Sequence, residues 1–428
     1  MKLNYKRTFF IGLAFLSISA FWQMYDSIVP LILQNTFHMN EALTGAIMAC
    51  DNVLAVFLLP LLGTLSDKVN TPWGKRTPFI VGGTILAVSL LMLLPVADRK
   101  ENLGMFIIAL GALLISMGLY RSPAVALMPD LTPKPLRSQA NAVINLMGAV
   151  GGVYSLLLIS LLVGKGERPD YMPVFAGVAA IMAVAVVVLV ITIREKKLAE
   201  QVNKENQVYA EEEIPVEKSS VKKELPADVK RSLVMILLSI FFWFMAYNAV
   251  TTAFSRYATT VWGMEGGGFA NCMMVATVAA ILSYIPIGHL SARIGRKKSI
   301  QFGLVLMFLS LFAACFFAQY HPVINLGFAL IGVGWAAIGV NSLPMVVEMC
   351  SSGDVGKYTG LYYTFSMSAQ IATPILSGLF LQYVSYRTLF PYACVFTAIA
   401  MITMQQVKHG DNRPEEKKTI LENFDVGD

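Results

Sequence analysis

Three ionisable side chains, Asp26, Asp51 and Arg121, lie deep inside apolar stretches. On insertion scales a charge at such depth costs about 2.5–3.5 kcal/mol, so each needs a reason to be there. A buried carboxylate whose surroundings change can take up a proton on one side of a barrier and release it on the other. Asp26 and Asp51 are the candidates for that chemistry. Arg121 is the compensating cation, and Asn145 lies at a comparable height to it. A static ion pair is the plainer alternative. A second set of residues could hold a polyhydroxylated ligand, which needs flat aromatic faces for its C–H patches and amides or charges for its hydroxyls. Trp22 and Tyr25 accompany Asp26, and Trp22 and Asp26, four apart, share one helical face. Tyr247, Asn248 and Gln370 are further candidates, because amides are costly in lipid and should face a cavity. Trp243, Trp335, Asn341, Tyr362 and Tyr363 are weaker ones, since aromatics in such stretches more often pack or sit at an interface.

Depth follows from the helical rise of 1.5 Å per residue. Asp26 lies roughly 27 Å along its stretch from Thr8, and Asp51 roughly 24 Å before Asp67. The two acids are therefore expected at similar height. Arg121 lies roughly 13 Å before Asp130 and can reach further by extending its side chain.

The elements that must position these groups are set by composition. Of 428 residues, 56% are hydrophobic and 14% charged, and the mean hydropathy is +0.62. Soluble domains carry about a quarter charged residues. A soluble enzyme, a disordered chain and a nucleic-acid binder are all excluded, and the lipid bilayer is the expected surrounding. Runs of about 20 apolar residues mark spans. Twelve are expected, at 8–33, 42–66, 77–97, 104–128, 139–163, 171–193, 232–260, 268–292, 299–319, 323–349, 357–383 and 388–406. Helix is the only credible state for them, because an open sheet would leave backbone groups unpaired in lipid. The chain is thus expected to be an all-α membrane protein. The first run has no small-residue cleavage site and is expected to remain as a span. Cys50, Cys272, Cys315, Cys350 and Cys394 show no metal spacing and no disulfide framework.

With the N-terminus inside, 26 of the 33 Lys and Arg residues fall in cytoplasmic segments, six in or near outer ones, and Arg121 within a span. That asymmetry places both termini in the cytoplasm. The expected organisation is a six-helix half over 1–193, a charged cytoplasmic linker over 194–231, a second half over 232–407 and a polar tail over 408–428. The plasma membrane and a monomer are expected.

The halves echo each other. Gly63-Thr64-Leu65-Ser66-Asp67, followed by Gly74-Lys75-Arg76, corresponds to Gly288-His289-Leu290-Ser291-Ala292, followed by Gly295-Arg296-Lys297. Two such halves around a midplane site are a known transporter plan. Asp67, Lys75 and Arg76 could form a charged cytoplasmic latch, or only fix topology and cap helix ends. Asp130 with Arg137, and Glu348 with Lys357, are the expected acid–base pairs of a cytoplasmic gate.

The Gly-x-Leu-Ser-Asp loop with its Gly-Lys-Arg resembles the signature of the major facilitator superfamily. The spacer from Asp67 to Pro78, and Arg121-Ser-Pro123 through Pro129-Asp130 to Arg137 and Asn141, resemble the sugar–cation symporter branch. That branch includes melibiose permease and the plant sucrose–proton symporters. The resemblance implies the major facilitator fold, with twelve helices in two pseudo-symmetric halves. It also implies an alternating-access carrier for a glycoside or disaccharide. The chain departs from those relatives at their coupling acids. Arg121 stands where melibiose permease has an acid in span four, Val56 and Leu59 replace acids of its span two, and Leu114 replaces the acid of the sucrose symporters. Coupling must therefore be rebuilt from Asp26 and Asp51.

The expected function is proton-coupled symport of a sucrose- or maltose-like sugar, with the proton as coupling ion and no other cofactor. The alternatives are an uncoupled sugar uniporter and an exporter of drugs or lipids. The exporter would favour a Gly-Pro kink in span five, which instead reads Gly148-Ala-Val-Gly151-Gly152. An enzyme is not expected, since the spans hold no phosphate loop, metal cluster or catalytic pairing.

Overall fold

The structure is a computed structural model that describes residues 3–133, 136–166, 168–212, 226–349 and 355–411. The expected linker and tail lie partly outside the described residues, as does Cys350. Thirteen α-helices are found among the described residues: α1 (Tyr5–Asn35), α2 (Glu41–Lys68), α3 (Thr77–Arg99), α4 (Leu103–Asp130), α5 (Arg137–Leu162), α6 (Met172–Thr192), α7 (Glu195–Glu212), α8 (Ala227–Thr260), α9 (Phe269–Ile294), α10 (Arg296–Ala314), α11 (Ile324–Val347), α12 (Val355–Tyr383) and α13 (Leu389–Gln405). Twelve are long and apolar enough to cross a membrane; α7 is the exception. There is no β-strand among the described residues, only an isolated bridge between Thr71 and Gly74.

The chain divides into two compact units. One comprises residues 1–39, 50–214 and 265–270; the other comprises 40–49, 215–264 and 271–428. In the first, α1 packs on α5 and α6, and α3 on α4 and α6. The α1–α5 approach depends on small residues, since a Cβ at Gly151 would lie 2.0 Å from the Leu16 carbonyl oxygen. The glycines of span five are thus packing devices. In the second unit α8 packs on α12 and α13, and α10 on α11 and α13. The first turns of α2 belong to this unit, while the rest of α2 belongs to the first.

Two contacts fix α4 against its neighbours. The Ser122 hydroxyl donates to the Leu59 carbonyl at 2.8 Å, just ahead of Pro60 in α2. The Tyr120 hydroxyl donates to the Ala14 carbonyl at 3.0 Å and meets Ser17. These ties flank Arg121 on both sides and set its direction.

Candidate functional site

Within the first unit, α1, α2 and α4 line a partly open pocket, with about 280 Å³ of empty space counting its open side. Its lining brings together Trp22, Asp51 and Arg121, with Leu58, Leu114 and Gly118 among the apolar walls. The Arg121 guanidinium lies 5.7 Å from the centre of the Trp22 ring, within the range of a cation–π contact. The Asp51 carboxylate accepts a hydrogen bond from the Asn52 amide at 2.8 Å and lies within electrostatic range of Arg121. Asp26 is within electrostatic range of Asp51, and both acids are within electrostatic range of the Tyr25 hydroxyl. The indole N–H of Trp22 and the hydroxyl of Tyr25 are buried with no partner among the described residues. Buried donors of this kind are otherwise paired, so they are available to a polar ligand. Chemically, the pocket offers a carboxylate, a guanidinium and an aromatic face between apolar walls.

Asn145 is half-buried on α5 and is not among the residues that line this pocket. Tyr247, Asn248 and Gln370 lie in the second unit. There Tyr247 stacks on Trp335, with ring centres 3.7 Å apart and planes at 8°. The Asn248 amide nitrogen and the Trp243 indole nitrogen are buried without a partner among the described residues. Gln370 is half-buried on α12. Asn341 is a structural residue, donating to Ser291 at 2.9 Å and to the Ala337 carbonyl at 2.8 Å. Tyr362 is buried and meets Ser342 at 3.1 Å.

The charged loop after α2 forms a network around Arg76, which is only 5% exposed. Its guanidinium pairs with Asp67, pairs with Asp130 at 2.9 Å, and donates to Ser66 and to the Gly63 carbonyl. Two expected pairs are therefore different from those read in the sequence. Asp130 pairs with Arg76 and not with Arg137, which instead donates to the carbonyls of Pro129 at 2.9 Å and Thr132 at 3.4 Å. Glu348 pairs with Arg296 and not with Lys357, whose ammonium lies 6.0 Å from the Tyr358 ring centre. The exposed Lys75 takes part through its backbone N–H. Sequence proximity suggested the wrong partners; the start of the third helix in each half lies beside the end of the fourth.

Sequence reasoning missed Glu195, the first residue of α7. It is 3% exposed and accepts from the backbone N–H groups of Lys75 at 2.7 Å, Arg76 at 2.9 Å and Thr77 at 2.8 Å, and from the Thr77 hydroxyl at 2.7 Å. A carboxylate at this point satisfies the open donors of α3 and complements its dipole. The second half repeats the device. Asp411, beyond α13, accepts from the Lys297 N–H at 2.7 Å at the start of α10. The signal in the sequence was negative: neither Arg76 nor Gly295 caps its own helix with a side chain, so an acceptor had to come from elsewhere.

The family profile described as Major Facilitator Superfamily matches residues 11–281 and 262–423. Curated relatives include the sucrose transport protein SUC3 of Arabidopsis thaliana, 26% identical over 151 residues, covering 31% of this chain and 25% of that protein. SUC4 of the same plant is 28% identical over 147 residues, covering 31% and 29%. An uncharacterized symporter of Synechocystis sp. is 29% identical over 140 residues, covering 30% and 26%. These matches span little more than a quarter of the relatives' own length. Among solved structures, the nucleoside transporter NupG covers 95% of this chain and 100% of its own, with a TM-score of 0.67 at 17% identity. A POT family transporter in complex with 5-aminolevulinic acid covers 94% of each, with a TM-score of 0.69 at 11% identity. At these identities the likeness is one of fold. With the family profile matched across both halves of a twelve-span helical chain, the protein belongs to the Major Facilitator Superfamily.

Proposed function

We propose that this protein carries a small glycoside, sucrose- or maltose-like, across the cell membrane by alternating access, coupled to protons. The observation that carries the reading is the convergence of Trp22, Asp51 and Arg121 on one pocket. An aromatic face beside a carboxylate and a guanidinium suits a ring with one apolar face and several hydroxyls. The unpartnered donors of Trp22 and Tyr25 give the ligand acceptors something to meet. The sucrose transport proteins among the relatives support the same substrate class.

Asp51 is the proposed proton carrier, because it lines the pocket directly; Asp26 is its electrostatic neighbour. Occupation of the pocket by a sugar displaces water from Asp51 and alters its balance between Arg121 and Asp26, and this links sugar binding to proton binding. Within the second half, Tyr247, stacked on Trp335, and Asn248 are proposed as sugar contacts, with Gln370 as a further one. The networks at Arg76 and Arg296 are proposed to lie on the cytoplasmic side, in keeping with the excess of Lys and Arg around them, and to brace each half from within.

Uptake into proteoliposomes tests this. Adding sucrose or maltose should alkalinise the outside as sugar enters. Sugar entry without proton movement would make the protein a uniporter, and efflux of a lipophilic dye without sugar uptake would make it an exporter.

A further inference from the structure

Cys315 closes the C-terminal end of α10, its backbone N–H reaching the carbonyls of Leu311 and Phe312 at 3.3 and 3.2 Å. Cys394 lies in the second turn of α13, which packs on α10. The two residues are distant in the chain, and their spacing gives no hint of a pair. Yet their thiols lie within hydrogen-bonding range of each other. Both are free thiols in the structure. The Cys315 thiol also meets the Leu311 carbonyl at 3.3 Å. Cys394 is 7% exposed, whereas Cys315 is half-buried. One member of the pair is thus open to a small reagent, and the other is shielded.

A frame around the pair holds both in place. Trp262, just after α8, is 5% exposed. Its indole N–H donates to the Phe317 carbonyl at 3.0 Å, two residues beyond Cys315. Its ring lies against that of Phe390, with centres 5.6 Å apart and planes at 25°. Phe390 is four residues before Cys394 and so shares its side of α13. One indole therefore fixes both the turn that carries Cys315 and the helix that carries Cys394. All of these residues belong to the second unit. A single buried cysteine behaves as a small apolar group; two thiols held together at the end of a helix can also join. A disulfide needs the sulfurs to close to about 2.05 Å, and a short shift of the turn after α10 supplies that movement.

We propose that Cys315 and Cys394 form an oxidisable dithiol, a modification site that staples the end of α10 to the start of α13. The oxidant is a low-molecular-weight disulfide. The Cys315 thiolate attacks one of its sulfurs; the small disulfide breaks and one thiol leaves. The Cys394 thiolate then attacks the Cys315 sulfur; the mixed disulfide breaks and the second thiol leaves. The protein gives up two electrons and two protons, and the small disulfide takes up both. With the N-terminus inside, this end of α10 faces outward, where disulfides persist. That side rests on the orientation proposed above, and the purified protein tests the pair apart from it.

The test uses the purified full-length protein with Cys50→Ala, Cys272→Ala and Cys350→Ala, treated with oxidised glutathione. Free thiols, counted with a maleimide after denaturation, should fall from two per chain to none. The intact mass should show the loss of two hydrogens and no bound glutathione, and dithiothreitol should restore both thiols. Cys394→Ser in this background should instead keep one glutathione, on Cys315. Two free thiols after treatment, or glutathione retained while both cysteines are present, overturns the site. Should the triple variant not fold, peptide mapping of the treated parental protein decides. A peptide linking Cys315 to Cys394 supports the site, and recovery of both as unlinked thiols overturns it. No readout uses sugar, so the site stands or falls apart from the substrate proposed above.

Discussion

The Glu195 carboxylate occupies the space that a side chain at Gly74 would need. A Cβ on Gly74 would fall 2.2 Å from the carboxyl carbon of Glu195, and Gly74 also has φ +123°, a region that favours glycine. The Gly-Lys-Arg motif is therefore a seat for a remote acid. Gly74→Ala should destabilise the protein by about 1–3 kcal/mol, the usual cost of a strained backbone residue. Gly82→Ala, where nothing lies within 4 Å, should be neutral. Melting in detergent measures both; equal melting temperatures for the two variants would contradict the seat.

Arg76 spans two acids, a hydroxyl and a carbonyl, a task for a planar fork and not for a single ammonium. Arg76→Lys should therefore cost about 1–3 kcal/mol, moderated because the two acids are partly exposed, at 59% for Asp67 and 39% for Asp130. Arg137→Ala should cost less, since its contacts are two carbonyls. Chemical denaturation of the two variants ranks them; a larger loss for Arg137→Ala would contradict the network.

At the other end of the first unit, the Arg99 side chain hydrogen-bonds Asp170 and holds its carboxyl below the usual carboxylate range. A depressed acid contributes stability above its unfolded pKa of about 3.9, and that contribution is lost as the pH falls through the lower folded value. Asp170 is half-exposed, so screening limits the effect to a few tenths of a kcal/mol. Asp170→Asn should lower the melting temperature slightly at pH 6 and leave it unchanged at pH 2. A difference that grows on acidification would contradict the pairing.

Trp22 should act through both its face and its N–H. Trp22→Phe keeps the face and should weaken sugar binding several-fold; Trp22→Ala loses both and should weaken it by roughly tenfold or more, given about 0.5–1.5 kcal/mol for each aromatic contact. Titration of sucrose and maltose by thermal shift reads both. Unchanged midpoints would remove Trp22 from the pocket's function.

The twelve spans were legible because lipid demands long apolar helices, and hydropathy records length directly. Helical rise gave an expected height for Asp26 and Asp51, since it converts residue counts into distance along a span. Partners were not. Asp130 was matched to Arg137 and Glu348 to Lys357 by nearness along the chain, whereas packing gave them Arg76 and Arg296. Glu195 and Asp411 left no local trace, because a carboxylate that satisfies a distant helix start looks in sequence like any other charge in a polar segment.

The central claim is that Asp51, facing Arg121 and Trp22, carries the coupled proton. Asp51→Asn in proteoliposomes, with an imposed proton gradient and labelled sugar, tests it most directly. The variant should fail to accumulate sugar above equilibrium yet exchange internal for external sugar at close to the parental rate. Full gradient-driven accumulation by Asp51→Asn would contradict it.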